Sequence, residues 1–350
     1  MDPDVSTRRI PDDRVTDAYM ELGQHEHALA ESIRAYEKRG DLSITLHHLA
    51  QSYLFLNRLE DARAIYQKNF ARNPDQLFWR EGMYLLGFFD GNTKFMEEQV
   101  GWAMQTPGAE DELLAMHANT NAYFGHVEKA RELTHQAVEF SQRNELKERA
   151  AMLIAREALW EAWFGNSEAA SRQARAALSL APGRVVRALA ALALAHTGDR
   201  SQAGKLADQL DAEFPASALI HSYWLPAIRA EIELHGQNYS RAIELLRPTS
   251  SYELADTPVP LAPVYVRGEA YLEARQGEAA SAEFQKILDH RGLVGNSPVA
   301  ALARLGMARA YSVSSETDKA RSNYQGFFEL WKQADADIPI LRQARGEFYK

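Results

Sequence analysis

The chain contains no cysteine. Disulfides, thiolate metal sites and thiol nucleophiles are therefore excluded, and the redox compartment leaves no trace in the sequence. Long apolar runs are missing too. Nothing approaches the roughly 18 uninterrupted residues of a membrane-spanning helix, and the amino terminus, MDPDVSTRRIPDDR, is charged where a signal peptide is apolar. Direct membrane insertion is not expected. As written the chain reads as cytoplasmic, or as periplasmic if it is a fragment of a membrane-anchored protein. Basic residues are in deficit: 39 Lys and Arg against 48 Asp and Glu give a net charge of −9. With no Lys/Arg stripe to meet a phosphate backbone, nucleic acid is not an expected partner.

Catalytic signatures are equally scarce. No GxSxG elbow, Walker loop or HExxH segment occurs. His290-Arg291-Gly292-Leu293-Val294-Gly295-Asn296 imitates a kinase catalytic loop, but glycine replaces the base aspartate and the asparagine comes one residue early. Phe89-Asp90-Gly91 lies upstream of it, the reverse of kinase order. Glu97 and Glu98 are adjacent on a helix, so their carboxylates diverge. The closest histidine pairs, His25 with His27 and His47 with His48, point to different sides of a helix, where a metal wants positions i and i+4. Asp335 and Asp337 lack the turn glycine and closing glutamate of a calcium loop and are expected to cap a helix beginning at Ile338. No catalytic residue, metal site or cofactor is expected.

What the chain does have is a recurring helical pattern. Ser43 to Gln76 carries two apolar ladders, Leu46, Leu49, Ala50, Tyr53 and Leu59, Ala62, Tyr66, Phe70, separated at Asn57-Arg58. Each stripe is too narrow to form a core alone, so the two helices fold back on each other with Ala50 and Ala62 at the close contact, then stack on neighbours. Asn57 with Glu60 reads as an N-cap, and Pro74 as a stop. The turn residue recurs at a fixed step, 57 − 23 = 91 − 57 = 125 − 91 = 34, at Gly23, Gly91 and Gly125. Further on it reappears at Gly165, Gly198, Gly236, Gly277 and Ser315. About nine helix pairs result, the third, around Met96, being the most degenerate.

Length, hairpin and residue pattern resemble the tetratricopeptide repeat, on Ala50, Tyr53, Ala62, Tyr66 and Pro74. Met96 departs from it where an alanine is expected, as do Gly87 and Asn121 where Tyr53 implies an aromatic. A narrower resemblance, over Val266 to Gly292 and Tyr324 to Lys350, is to the repeat region that follows the catalytic domain of bacterial, especially acidobacterial, eukaryotic-like serine/threonine kinases. The ADADIPIL segment, Ala334 to Leu341, is its most specific part. The expected architecture is all-α: a tail over Met1 to Ile10, a right-handed superhelical solenoid of about nine tetratricopeptide-like hairpins over residues 11–337, and a capping helix over 338–350. A lengthened second helix or helical linker is expected near Ser141 to Arg149. Two long non-helical stretches, Pro248 to Pro263 and Arg291 to Pro298, are weak pointers to function.

One constellation suggests a binding surface. The position about two before each turn carries a ring in six consecutive units: Phe55, Phe89, Tyr123, Trp163, His196 and His235. By the tetratricopeptide resemblance this position lines the concave groove. An exposed ladder there suits a protein or extended peptide with apolar anchors, because aromatics give contact area at low entropic cost. The same resemblance disfavours an acidic peptide tail, since His47, Glu81 and Ala115 stand where the carboxylate clamp has lysine and only Asn119 matches. The alternative is that the rings pack between successive helices as ordinary core, which burial of Phe89, Tyr123 and Trp163 decides. The chain thus reads as a non-enzymatic scaffold, the sensory or docking arm of a bacterial signalling protein, or alternatively the regulatory region of a serine/threonine kinase. The sequence leaves its oligomeric state open.

Overall fold

The computed structural model describes residues 12–349, and the expected tail lies outside them. Among the described residues there is no strand. Helices follow one another as hairpins: α1 (Asp12–Glu21) with α2 (His25–Arg39), α3 (Ser43–Phe55) with α4 (Leu59–Arg72), α5 (Leu77–Phe89) with α6 (Thr93–Ala103), and α7 (Glu110–Tyr123) with α8 (Val127–Arg143). Next come α9 (Lys147–Trp163) with α10 (Ser167–Leu180), α11 (Arg184–His196) with α12 (Arg200–Glu213), and α13 (Leu225–His235) with α14 (Tyr239–Leu245). The chain ends with α15 (Ala262–Glu273) and α16 (Gly277–Asp289), a single turn α17 (Arg291–Val294), α18 (Pro298–Val313) with α19 (Thr317–Leu330), and α20 (Pro339–Phe348). The architecture is an all-α solenoid of consecutive helix hairpins.

Tight reversal explains the turn residues. The left-handed position of each hairpin is Gly23, Asn57, Gly91, Gly125, Gly165, Gly198, Gln237, Arg275 and Ser315. The sequence reading put two of these on Gly236 and Gly277; the strain falls instead on neighbouring non-glycine residues. Near Ser141 to Arg149 both flanking helices are long, and the chain breaks between them at Glu145, φ 61°. The degenerate third hairpin proves to be a size exchange. A Cβ on Gly87 would lie 3.1 Å from Phe95 and 3.2 Å from the Met96 Cγ. Methionine on one helix thus fills the space that glycine vacates on the other.

First helices of successive hairpins form the spine, α9 against α11, α11 against α13, α13 against α15 and α15 against α18. Every residue of α11 from Ala188 to Ala195 is buried. A helix apolar on all sides is covered on all sides.

For α11 that cover is the flanking helices α9, α10, α12 and α13; elsewhere the second half of the chain docks on the first. The stretch after α14 docks on the first hairpin: Leu254 O accepts from His25 Nε2 at 2.8 Å, and Asp256 N donates to Met20 O at 3.1 Å. The stretch around α17 docks on α3, where Asn57 donates its amide to Asp289 O and accepts from Gly292 N at 2.8 Å. Gly292 approaches so closely that a Cβ would sit 1.8 Å from Leu54 O, so only glycine fits. Asn296 anchors its end by donating to Met116 O (2.7 Å) and Thr120 Oγ1 (2.8 Å). Finally, Asp335 N donates to Gly125 O and Ile340 N to Phe164 O. Both stretches expected to be non-helical are thus anchored on the first half, and both hold short helical turns, a 3-10 turn over Arg247–Ser251 and α17 over Arg291–Val294.

Two expected caps are corrected by these contacts. Asn57 does not cap α4, whose N-cap is Arg58 without a side-chain bond; its amide is spent on residues 289–292. Asp335 accepts from Glu128 N at 2.8 Å, at the positive end of α8, instead of capping the last helix, which begins at Pro339 behind Ile338.

Candidate functional site

The six ladder rings do not form one exposed surface. Phe55 (7% exposed) packs with Met20, Ala28 and Leu293, its ring 5.0 Å from that of His25. Tyr123 (9%) lies under Trp331, whose Nε1 donates to its carbonyl at 2.9 Å. Trp163 (3%) stands 4.9 Å from the Tyr265 ring. For these three, burial decides for core. His196 Nδ1 contacts Glu231 Oε1 at 2.6 Å; burial lowers its pKa, but Glu231 outweighs that and leaves it above the ordinary histidine value. His235 is exposed at a turn, beside Gly198. Phe89, half-buried, borders an accessible cleft, and the small exposed part of Tyr123 lines the same cleft.

That cleft lies where the ends of α5 and α7 face α16 to α19. One cavity of about 420 Å³ is lined by Phe88, Phe89, Phe124, Arg291, Arg304 and Leu330, among others. A second, of about 490 Å³, shares Phe124, Arg304 and Leu330 with it, so the two are continuous. The aromatic wall is pre-set: Phe88 meets Phe89 at 5.7 Å and Tyr123 at 5.0 Å, and Tyr123 meets Phe124 at 5.0 Å, all edge to face. Doubled rings at the ends of α5 and α7, Phe88-Phe89 and Tyr123-Phe124, were the sequence signal for this wall.

The cleft is also cationic. Arg291 holds its guanidinium 5.0 Å over the Phe89 ring. Asp90, the acid beside it, is engaged by two 2.8 Å bonds from Arg63, which, with the field of Arg291, hold its carboxyl below the usual range. Arg304 has no carboxylate partner among the described residues. Both arginines thus offer unspent charge beside an apolar wall. Within the kinase-like stretch, His290 Nδ1 contacts Lys286 O and Gly292 N donates to Asn57. Of the histidine pairs, His27 stacks on Tyr19, while His47 and His48 keep their rings 5.9 Å apart; burial of His47 among Tyr66, Phe78 and Trp79 pushes it down to about 4. Among the described residues no helix is long and apolar enough to cross a membrane.

No protein-family model matches the chain. No curated protein matches it either. Among solved structures it is similar to yeast Tom70, at 12% identity and TM-score 0.43 over 98% of this chain and 89% of that one. A monomeric IFIT1 mutant with Gppp-AAAA aligns at 17% identity and TM-score 0.36, over 96% of this chain and 77% of that one. The TPR domain of P58(IPK) aligns at 15% identity and TM-score 0.26, over 97% and 95%.

Proposed function

We propose that the chain is a protein-binding helical scaffold and that its docking surface is the cleft between Phe88, Phe89 and Phe124 on one side and Arg291, Arg304 and Leu330 on the other. Its ligand is a peptide segment with an aromatic or aliphatic anchor and an acidic residue close by. One observation carries this reading: a ring-lined cleft bordered by two arginines that form no ion pair among the described residues, in a chain of net charge −9. Apolar contact area with a charge at its rim is the usual make-up of a binding hot spot. Of the expected residues, Phe89 and Tyr123 border this cleft; Phe55, Trp163, His196 and His235 lie outside it.

The test is fluorescence anisotropy with a panel of labelled peptides, each with a tryptophan or leucine anchor near a glutamate. Arg304→Glu and Phe89→Ala each weaken the best binder by about tenfold or more, equivalent to about 1.4 kcal/mol. Leu146→Ser, on an exposed residue between α8 and α9, leaves it unchanged. Equal binding by all four proteins rejects the site.

The reading extends to the docking arm of a bacterial signalling protein, or the regulatory region of a serine/threonine kinase. What supports this is that the two kinase-like stretches, Val266 to Gly292 and Tyr324 to Lys350, contribute Ile287, Leu288, Arg291 and Leu330 to the cleft lining. A natural reading frame that continues upstream into a kinase domain would favour the second form; one that does not would reject it.

A further inference from the structure

Ile154, Glu157 and Glu161 recur at helical spacing on one face of α9. Helices α8 and α10 both pack against α9, and over this face they leave a groove of about 400 Å³. Thr134 and Val138 of α8, Ile154 and Glu157 of α9, and Ala169 and Gln173 of α10 are among its lining. It shares no lining residue with the Phe89 cleft.

The two carboxylates of that face are not equivalent. Arg131 binds both oxygens of Glu161, at 2.5 and 3.0 Å, and Asn166 donates to it at 2.7 Å. Glu157 is also buried but has no cation in contact. Its partners are neutral: Gln173 Nε2, donating to Oε1 at 2.8 Å, and the Thr134 hydroxyl. Burial pushes its carboxyl up to about 7, with Glu161 adding to the rise and Gln173, Arg131 and Thr134 opposing it. The charges at the rim are exposed and face their own neighbours, Glu132 with Lys129, His135 with Glu139 and Arg172 with Glu168.

The groove therefore offers acceptors that lack donors. Glu157 keeps its second oxygen, and no donor among the described residues reaches Gln173 Oε1. Thr134 has one hydrogen; given to Ala130 O at 2.9 Å or to Glu157, it leaves the hydroxyl oxygen free to accept. Three acceptors match an ammonium, which has three donors and no acceptor. A guanidinium fork wants both oxygens of one carboxylate, and Gln173 already occupies one of them. Val138, Ile154 and Ala169 provide apolar surface for a methylene stem.

We propose that this groove holds a lysine side chain from a partner protein segment, its ammonium on Glu157, Gln173 and Thr134 and its stem along Val138 and Ile154. Titration calorimetry of the full chain at pH 8, with a capped peptide carrying one lysine between leucines, reads a 1:1 complex. The Nε-acetyl-lysine form of that peptide binds at least about tenfold more weakly, equivalent to about 1.4 kcal/mol. Glu157→Gln weakens the lysine peptide to a similar extent, and Phe89→Ala leaves it unchanged. From pH 8 to pH 6 the affinity of the unmodified protein falls about tenfold as Glu157 takes up a proton; Glu157→Gln shows no such fall. No binding at pH 8, equal binding of the two peptides by the unmodified protein, full binding by Glu157→Gln, or loss of binding in Phe89→Ala overturns the proposal. The comparison of the two peptides does not depend on whether a variant folds. Butylamine that binds as tightly as the peptide overturns the assignment to a partner segment.

Discussion

Trp163 and Phe89 occupy equivalent places two repeats apart, at the ends of α9 and α5, yet the structure gives them opposite duties, and substitution separates them. Trp163 is 3% exposed and packs on Tyr265 beneath the docked second half. Its truncation to alanine leaves a cavity in a close-packed region, which costs about 3–5 kcal/mol. That is a large part of a total stability of about 5–15 kcal/mol. Phe89 is half-buried, so its truncation forfeits about half of the 1.5–3 kcal/mol of a fully buried ring, plus about 0.5–1 kcal/mol for the Arg291 contact. Urea unfolding followed by circular dichroism, with peptide anisotropy in parallel, measures both. The expected outcome is an early unfolding midpoint for Trp163→Ala with near-native affinity where it remains folded. Phe89→Ala gives a small stability loss with weakened binding. A Trp163→Ala protein that unfolds within about 1 kcal/mol of the parent would refute the burial argument.

Two further outcomes follow from packing and charge. Met96→Ala opens the space that Gly87 leaves, at a cost of about 2–5 kcal/mol; adding Gly87→Ala restores part of it, and a double-mutant cycle reads a coupling of at least about 0.5 kcal/mol. Strict additivity would contradict the size exchange. Glu157, 5% exposed on α9 and accepting from Gln173 Nε2 at 2.8 Å, is pushed by burial up to about 7. Its contribution to stability is complete below the ordinary carboxylate range and is lost as pH rises through about 7, because folding opposes its ionisation. Glu157→Gln removes that decline, and unchanged stability–pH curves for the two proteins would count against it.

Much of the fold was legible because hairpin packing is local. Ala62 meets its own partner helix within a few dozen residues, and a period of 3.6 records that. The step of 34 found the left-handed turns at Gly23, Asn57, Gly91 and Gly125. Closure was not legible in the same way. Nothing near Phe55 in the chain says that Leu293 covers it, nor does the pattern around Asn57 reveal that its amide will bind residues 289–292. One signal did exist: Ala188 to Ala195 on α11 is apolar on every side, which leaves no free inner wall there. The site suffered accordingly. A ladder of rings is a periodic feature and could be read; Arg304 and Leu330 join Phe89 only through long-range docking, which periodicity does not encode.

The second half of the chain closes over the first, and the Phe89 cleft stays open between them. Native-state hydrogen exchange tests it at four amides outside the regular helical ladders: Asp256, Gly292, Asp335 and Ile340, which donate to Met20 O, Asn57 Oδ1, Gly125 O and Phe164 O. A closed molecule protects all four as strongly as the amides of α9 and α11. Exchange at the rate of exposed loops would show an open superhelix and contradict the account.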